Sequence, residues 1–155
     1  MSYAEGTTVP FEKSIAEIIT VIKKAGAGQI GRFEDASFFA IQFALADRSV
    51  RFRVPFKPLS EMPTHDGRGA KLTDAQRQAK FEASRRQRGR ALLLVIKAKL
   101  ESVESGVETF EEAFLAHIVL DGGKTVYERI REPIALEYAS GRPNPTVALL
   151  GGPSA

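Results

Sequence analysis

The residues with most capacity for chemistry in this chain are arginines. Arg77, Arg85, Arg86, Arg88 and Arg90 fall within one predicted helix, and Arg51 and Arg53 alternate along a predicted strand. A guanidinium is planar, stays charged throughout the physiological pH range and can bond two phosphate oxygens at once. This pattern therefore suits phosphate recognition. From Arg68 to Lys99, ten bases against two acids give a net +8. From Leu100 to Glu137, three bases against nine acids give a net −6. The formal net charge of +3 conceals these opposed segments. At about 100° per residue, Arg77, Arg85 and Arg88 share one side of the helix and Arg86, Arg90 and Lys97 another. Two readings follow. In one, the five helix arginines contact nucleic-acid phosphates, with Arg51 and Arg53 secondary. In the other, the cations pair with acids of neighbouring elements or of a second subunit. Phe38 could stack on a base beside Arg51 and Arg53, although core packing is the expectation for it.

The remaining candidates are weaker. His65 and Asp66 could act as a base and its orienting acid, but they are adjacent in a Pro/Gly-rich stretch and read as a turn. Glu111, Glu112 and His117 lack the Glu-x-x-His spacing that shared metal ligation on a helix needs, and a surface reading is preferred. Gly26-Ala27-Gly28-Gln29-Ile30-Gly31 runs from helix to strand, the wrong order for a dinucleotide loop. No nucleophile elbow is present. The sequence thus predicts no catalytic residues, no metal, no cofactor and no enzyme. The chain has no cysteine, which excludes disulfides and thiolate metal sites and suits a reducing cytoplasm. The N-terminus lacks the basic and apolar regions of a signal peptide, and the apolar run Ala91 to Ile96 is too short to span a bilayer. No membrane partner is expected.

The elements that must hold these residues are legible from periodicity. At 155 residues the chain is long enough for one domain with a real core. Met1 to Thr8 reads as a loose arm. Pro10 opens a helix whose stripe is Phe11, Ile15, Ile18, Ile19 and Ile22, with Gly26 as its stop. Gln29–Glu34, Ser37–Leu45 and Ser49–Pro55 read as three antiparallel strands, with turns at Glu34-Asp35 and Ala46-Asp47-Arg48-Ser49. One sheet face would be covered by helices. The other would carry Arg51 and Arg53, with Arg32 as a further candidate. Phe56 to Leu72 is a linker rich in Pro and Gly.

Thr73-Asp74-Ala75-Gln76 is a capping box opening a helix toward Val107, roughly 45 Å long if continuous to Glu104 at about 1.5 Å per residue. Its apolar stripe is Leu92, Ile96, Leu100, Val103 and Val107, with Leu93 beside it. Gly89 is a potential break, and the arginine half is expected to reach outward. Thr109–Glu112 and Thr125–Glu128 are two further capping boxes. They open a short helix with Phe110, Ala113, Phe114 and Ile118 inward, and a last helix that Pro133 should kink or split. The fold class is α+β: an N-terminal helix, a three-stranded antiparallel meander, a long helix and two shorter C-terminal helices. Residues 1–140 form the domain. Residues 141–155 are a Pro/Gly-rich tail in which Val147 to Leu150 is a candidate docking segment.

Met1 to Thr7, Arg90 to Glu101, Phe110 to Leu115 and Asp121 to Val126 resemble small proteins encoded in tailed-phage and prophage genomes. The likeness covers most of the chain and carries over no site residues. It implies the cytoplasm of a bacterial host. The helix–meander–long-helix order is similar, in topology alone, to the core of single-strand annealing recombinases. The expectation is a non-enzymatic phage accessory protein that binds nucleic acid, single-stranded or without sequence preference. The alternative is a protein-interaction module, either an inhibitor of a host complex or a self-associating scaffold.

Overall fold

The computed structural model describes residues 2–145. The expected docking segment Val147 to Leu150 lies outside the described residues. Helix α1 spans Phe11–Lys24, with Pro10 as its N-cap residue, and buries Phe11, Ser14, Ile15, Ile18 and Ile22. It stops where Gly26 takes φ +102°, a conformation open to glycine, and Ala27 N–H returns to the Ile22 carbonyl at 2.9 Å. Strands β1 (Gly28–Glu34), β2 (Phe38–Leu45) and β3 (Arg48–Pro55) follow as an antiparallel meander in that spatial order. The β2–β3 turn is the two-residue Ala46-Asp47, with φ of 50° and 59°. This left-handed pair matches the twist of the flanking strands.

Register assigns the two sheet faces. Ile41 pairs with Phe52 and Phe43 with Val50, and all four are buried with Phe39 in the core. Ala40 pairs with both Phe33 and Arg53, and Gln42 with Arg51, so these residues and Phe38 lie on the opposite face. Arg32 is opposite Ile41 and therefore lies on the helix side, not the open side expected for it. There it bonds Glu12 of α1 at 3.0 and 3.1 Å and Glu34 at 3.0 Å. The bonds from Arg32 hold the Glu12 carboxyl below its ordinary pKa.

Helix α2 runs unbroken over Asp74–Glu104, opened by the expected reciprocal capping box between Thr73 and Gln76. Gly89 does not break it. That glycine is buried where α1 crosses, and a Cβ built on it would lie 2.8 Å from the Phe11 ring and 3.4 Å from Ser14 Cβ. Its lack of a side chain is a requirement of helix–helix approach, not a flaw in the helix. Leu92, Leu93 and Ile96 enter the core, with Leu100 and Val103 packed at its margin. Val107, assigned to the same stripe, lies past the helix end and is exposed.

Helix α3 (Phe110–Phe114) has its own complete capping box and leads into a 3-10 turn, Leu115–His117. Ile118 then bridges Val50, and Val119 N–H donates to Ser49 at 2.8 Å, which extends the sheet beyond β3. Helix α4 (Val126–Ser140) accommodates Pro133 without splitting, and none of its residues is buried. The N-terminal segment is not a loose arm: Ala4 is buried, and Gln87 Nε2 donates to Ser2 Oγ at 3.0 Å. The linker is likewise built. Phe56 and Met62 are buried, and Asp66 Oδ1 accepts from Arg68 N–H at 2.8 Å and Ala70 N–H at 2.9 Å.

Gly89→Ala would gain about 1 kcal/mol of helix propensity but overfill the α1–α2 contact. The Phe11 ring is itself hemmed in by Phe39 and Phe56, so it cannot move away cheaply. The expected result is a net loss of about 1–3 kcal/mol in urea denaturation. A more stable variant would show that the ring yields.

Candidate functional site

The five helix arginines are spent inside the fold. Arg77 donates to the carbonyls of Leu59 (3.0 Å) and Met62 (3.3 Å). Arg85 pairs with Glu34 of β1 and lies over the rings of Phe11 and Phe56 at 4.8 and 5.1 Å. Arg86 donates to Thr7 (3.4 Å), and Arg88 to the Pro55 carbonyl (2.6 Å). Arg90 pairs with Glu17 of α1 at 2.7 Å. All five are half-buried, so the expectation that they reach outward is corrected. Their long aliphatic stems let a helix that is polar on every side still dock. They neither lie open beside Arg51 and Arg53 nor pair with the acids of Glu101 to Glu137. Each ties α2 to a different segment of the N-terminal half or the linker.

Arg51 and Arg53 have different surroundings. Phe33 stacks on Phe38, centroids 5.4 Å apart and planes 25° apart. From β3, on the same face, Arg53 lies 4.3 Å from the centre of the Phe38 ring. Phe38 is thus half-buried on the open face and not part of the core, because its odd-even position in β2 faces away from the helices. Phe33, 59% exposed, offers an uncovered ring surface at the outer end of this ladder. Beside the ladder, a groove of about 720 Å³ runs between β3 and the first turns of α4. Arg51, Arg53, Lys124 and Arg131 line it, together with Tyr127, His117 and one acid, Glu128. Arg51 bonds the Gly123 carbonyl at 2.7 Å and Glu128 at 3.2 Å. Arg53 and Arg131 are exposed. Chemically, the groove offers cations and donors to an anion, and the ladder offers a flat π surface to a planar ring.

The other sequence candidates do not assemble. His65 hydrogen-bonds Thr64 Oγ1 at 2.9 Å, and Asp66 caps its own turn. Glu111 pairs with Arg48 at 2.7 Å, while Glu112 closes the α3 capping box. No group of three potential metal ligands is found among the described residues. Gly26 and Gly28 to Gly31 form the α1 stop and the bulged start of β1. His117 is not a free surface residue. Its ring stacks on Phe52 at 4.1 Å, and burial, then the nearby positive charge of Lys99, push its pKa down. No helix among the described residues is long and apolar enough to cross a membrane.

Sequence reading missed Lys124, Tyr127 and Arg131 because they lie in a segment whose net charge is negative. A running charge count cannot tell a paired acid from a free one. The available signal was the i, i+4, i+7, i+11 series Tyr127, Arg131, Ile134 and Tyr138 on one side of α4. Comparison with known proteins found no matching family model, curated protein or solved structure.

With a folded-state pKa held below that of the unfolded chain, His117 takes up its proton first in the unfolded state as pH falls. Its contribution to stability is complete above about pH 6.5 and is lost below that value as the pH falls through the folded pKa. Melting curves between about pH 7.5 and 5.5 should show Tm falling more steeply for the natural protein than for His117→Gln. Equal slopes would mean the imidazole is not held neutral by its surroundings.

Proposed function

We propose that the protein is a non-enzymatic nucleic-acid-binding protein that lays a single strand across the open sheet face. The observation that carries this reading is the Phe33–Phe38–Arg53 ladder beside a groove lined by four cations. A duplex hides its base faces, whereas a single strand presents them to aromatic side chains while its phosphates follow a basic channel. Bases would stack on Phe33, and phosphates would meet Arg53, Lys124 and Arg131. Stacking and backbone contacts carry little sequence preference. The helix arginines Arg77, Arg85, Arg86, Arg88 and Arg90 have a secondary role in this reading. Each would have to exchange an intramolecular partner for a phosphate, although their charge still adds to the field that draws an anion in. The likeness to tailed-phage proteins fits an accessory role in a bacterial cytoplasm.

A fluorescent single-stranded oligonucleotide titrated at low and moderate salt tests this. Affinity should fall steeply with salt. Phe33→Ala and Arg53→Ala should each weaken binding about fivefold or more, at unchanged stability, because both side chains are exposed. Arg90→Ala should instead act mainly on stability, through the lost Glu17 pair. Absence of binding at low salt sinks the proposal.

A second reading, association of two copies, is favoured by α4. Among the described residues this 15-residue helix buries no side chain, and it exposes Tyr127, Ile134, Leu136 and Tyr138. Light scattering decides it: a concentration-dependent dimer abolished by Ile134→Glu, with no affinity for the oligonucleotide, would support this reading over the first.

A further inference from the structure

We infer that Glu128 occupies, from within the chain, the seat that a phosphate group takes in the groove, and that ligand binding displaces it from Arg51. The inference deepens the phosphate part of the proposed function and rests on that part alone. Three helices of this chain begin with Thr-x-x-Gln or Thr-x-x-Glu. In two of them the fourth side chain folds back onto the N-cap backbone, Gln76 onto Thr73 N–H at 2.8 Å and Glu112 onto Thr109 N–H at 3.0 Å. At the third, Thr125 Oγ1 accepts Glu128 N–H at 3.2 Å, but the Glu128 carboxylate turns outward to Arg51, at 3.2 and 3.5 Å. It does so because four cations line this groove and Glu128 is its single acidic lining residue.

A carboxylate and a phosphate present the same kind of oxygen pair to a guanidinium, so they compete for the same donors. A pyrophosphate or terminal phosphate carries more charge and more acceptors than a carboxylate, and a backbone phosphodiester equals its single charge. The exposed Arg53, Lys124 and Arg131 of the same groove add donors that favour either over Glu128. Arg51 would not be stranded by the exchange, because its bond to the Gly123 carbonyl at 2.7 Å does not involve Glu128. The pair is partly open to solvent, with Arg51 at 23% and Glu128 at 38% side-chain exposure, so opening it is cheap. The ligand class is a phosphate or pyrophosphate group. It could come from a nucleic-acid backbone or from a free oligophosphate.

Calorimetric titration of the whole protein with inorganic pyrophosphate tests the seat without nucleic acid. Glu128→Gln keeps the side-chain shape and the Thr125 cap but removes the competing charge. It should bind pyrophosphate about two- to fivefold more tightly than the natural protein, the size of one partly exposed ion pair. Arg131→Ala, at an exposed position, should bind it more weakly while leaving the Arg51–Glu128 pair intact. Equal or weaker binding by Glu128→Gln in a folded sample, or no effect of Arg131→Ala, overturns the inference. So does the absence of pyrophosphate binding in all three proteins. Repeating the comparison with a single-stranded oligonucleotide separates the sources. The same gain there assigns the seat to a nucleic-acid backbone. A gain for pyrophosphate with no oligonucleotide binding keeps the seat and removes the single-strand reading.

Discussion

The structure depends on the close approach of α1 and α2 at Phe11 and Gly89. The Phe11 ring lies where a side chain on α2 would otherwise stand. The same ring meets Phe39 edge-on at 5.3 Å and Phe56 at 5.6 Å. The guanidinium of Arg85, one helical turn from Gly89, then covers both Phe11 and Phe56. One aromatic side chain thus joins the first helix, the middle strand, the linker after β3 and the long helix. Stacking a cation on rings in this setting removes part of its water, so the Glu34 carboxylate beside it is a necessary partner and not an ornament. Glu34 in turn shares Arg32 with Glu12, so the ionic network ties β1 to α1 and α2.

That constraint decides which surface remains available for function. The arginine half of α2 cannot serve at once as the clamp on α1, β1 and the linker and as a free phosphate-binding helix. Its arginines are bound by carbonyls at the ends of other elements and by Glu17 and Glu34, acids from well outside its own region of the chain, although Nε of Arg77 and of Arg85 is buried without a hydrogen-bond partner. On the open sheet face, where β3 meets α4, Arg53, Lys124 and Arg131 stand in one groove without an acid partner among the described residues. There Lys124 and Arg131 belong to a segment that is acidic in sum, yet Glu111 is turned to Arg48 and Glu128 to Arg51. The net charge of a segment therefore does not give the sign of each surface its residues form.

The α+β architecture was legible in the residues because each element declares itself locally. Ile15, Ile18 and Ile22 repeat with the helical period, and Phe39, Ile41 and Phe43 with the strand period. The Thr73 and Thr109 boxes mark helix starts by a bond that closes within four residues. Arg51 and Arg53 were placed on the open sheet face by alternation alone. Local signals were weaker where a choice depended on a neighbour. Phe38 has the composition of a core residue and the parity of a surface one, and parity prevailed. Pro133 was expected to kink or split α4, and the helix does not split there.

Sequence by itself determined the elements, their order, a turn within Ala46 to Ser49 and the two faces of β2 and β3, since these follow from backbone preference and side-chain period over a few residues; the face of Arg32 on β1 was not among them. It also determined that the chain carries an excess of arginine. Tertiary structure alone decided what those arginines do. Whether a guanidinium is a ligand-binding group or an internal tether depends on which carbonyl or carboxylate folding brings within about 3 Å of it. For Arg77, Arg85, Arg86, Arg88 and Arg90 those partners lie in distant parts of the chain. The same is true of Gly89, a helix-weakening residue by propensity and a helix-joining one once Phe11 is against it.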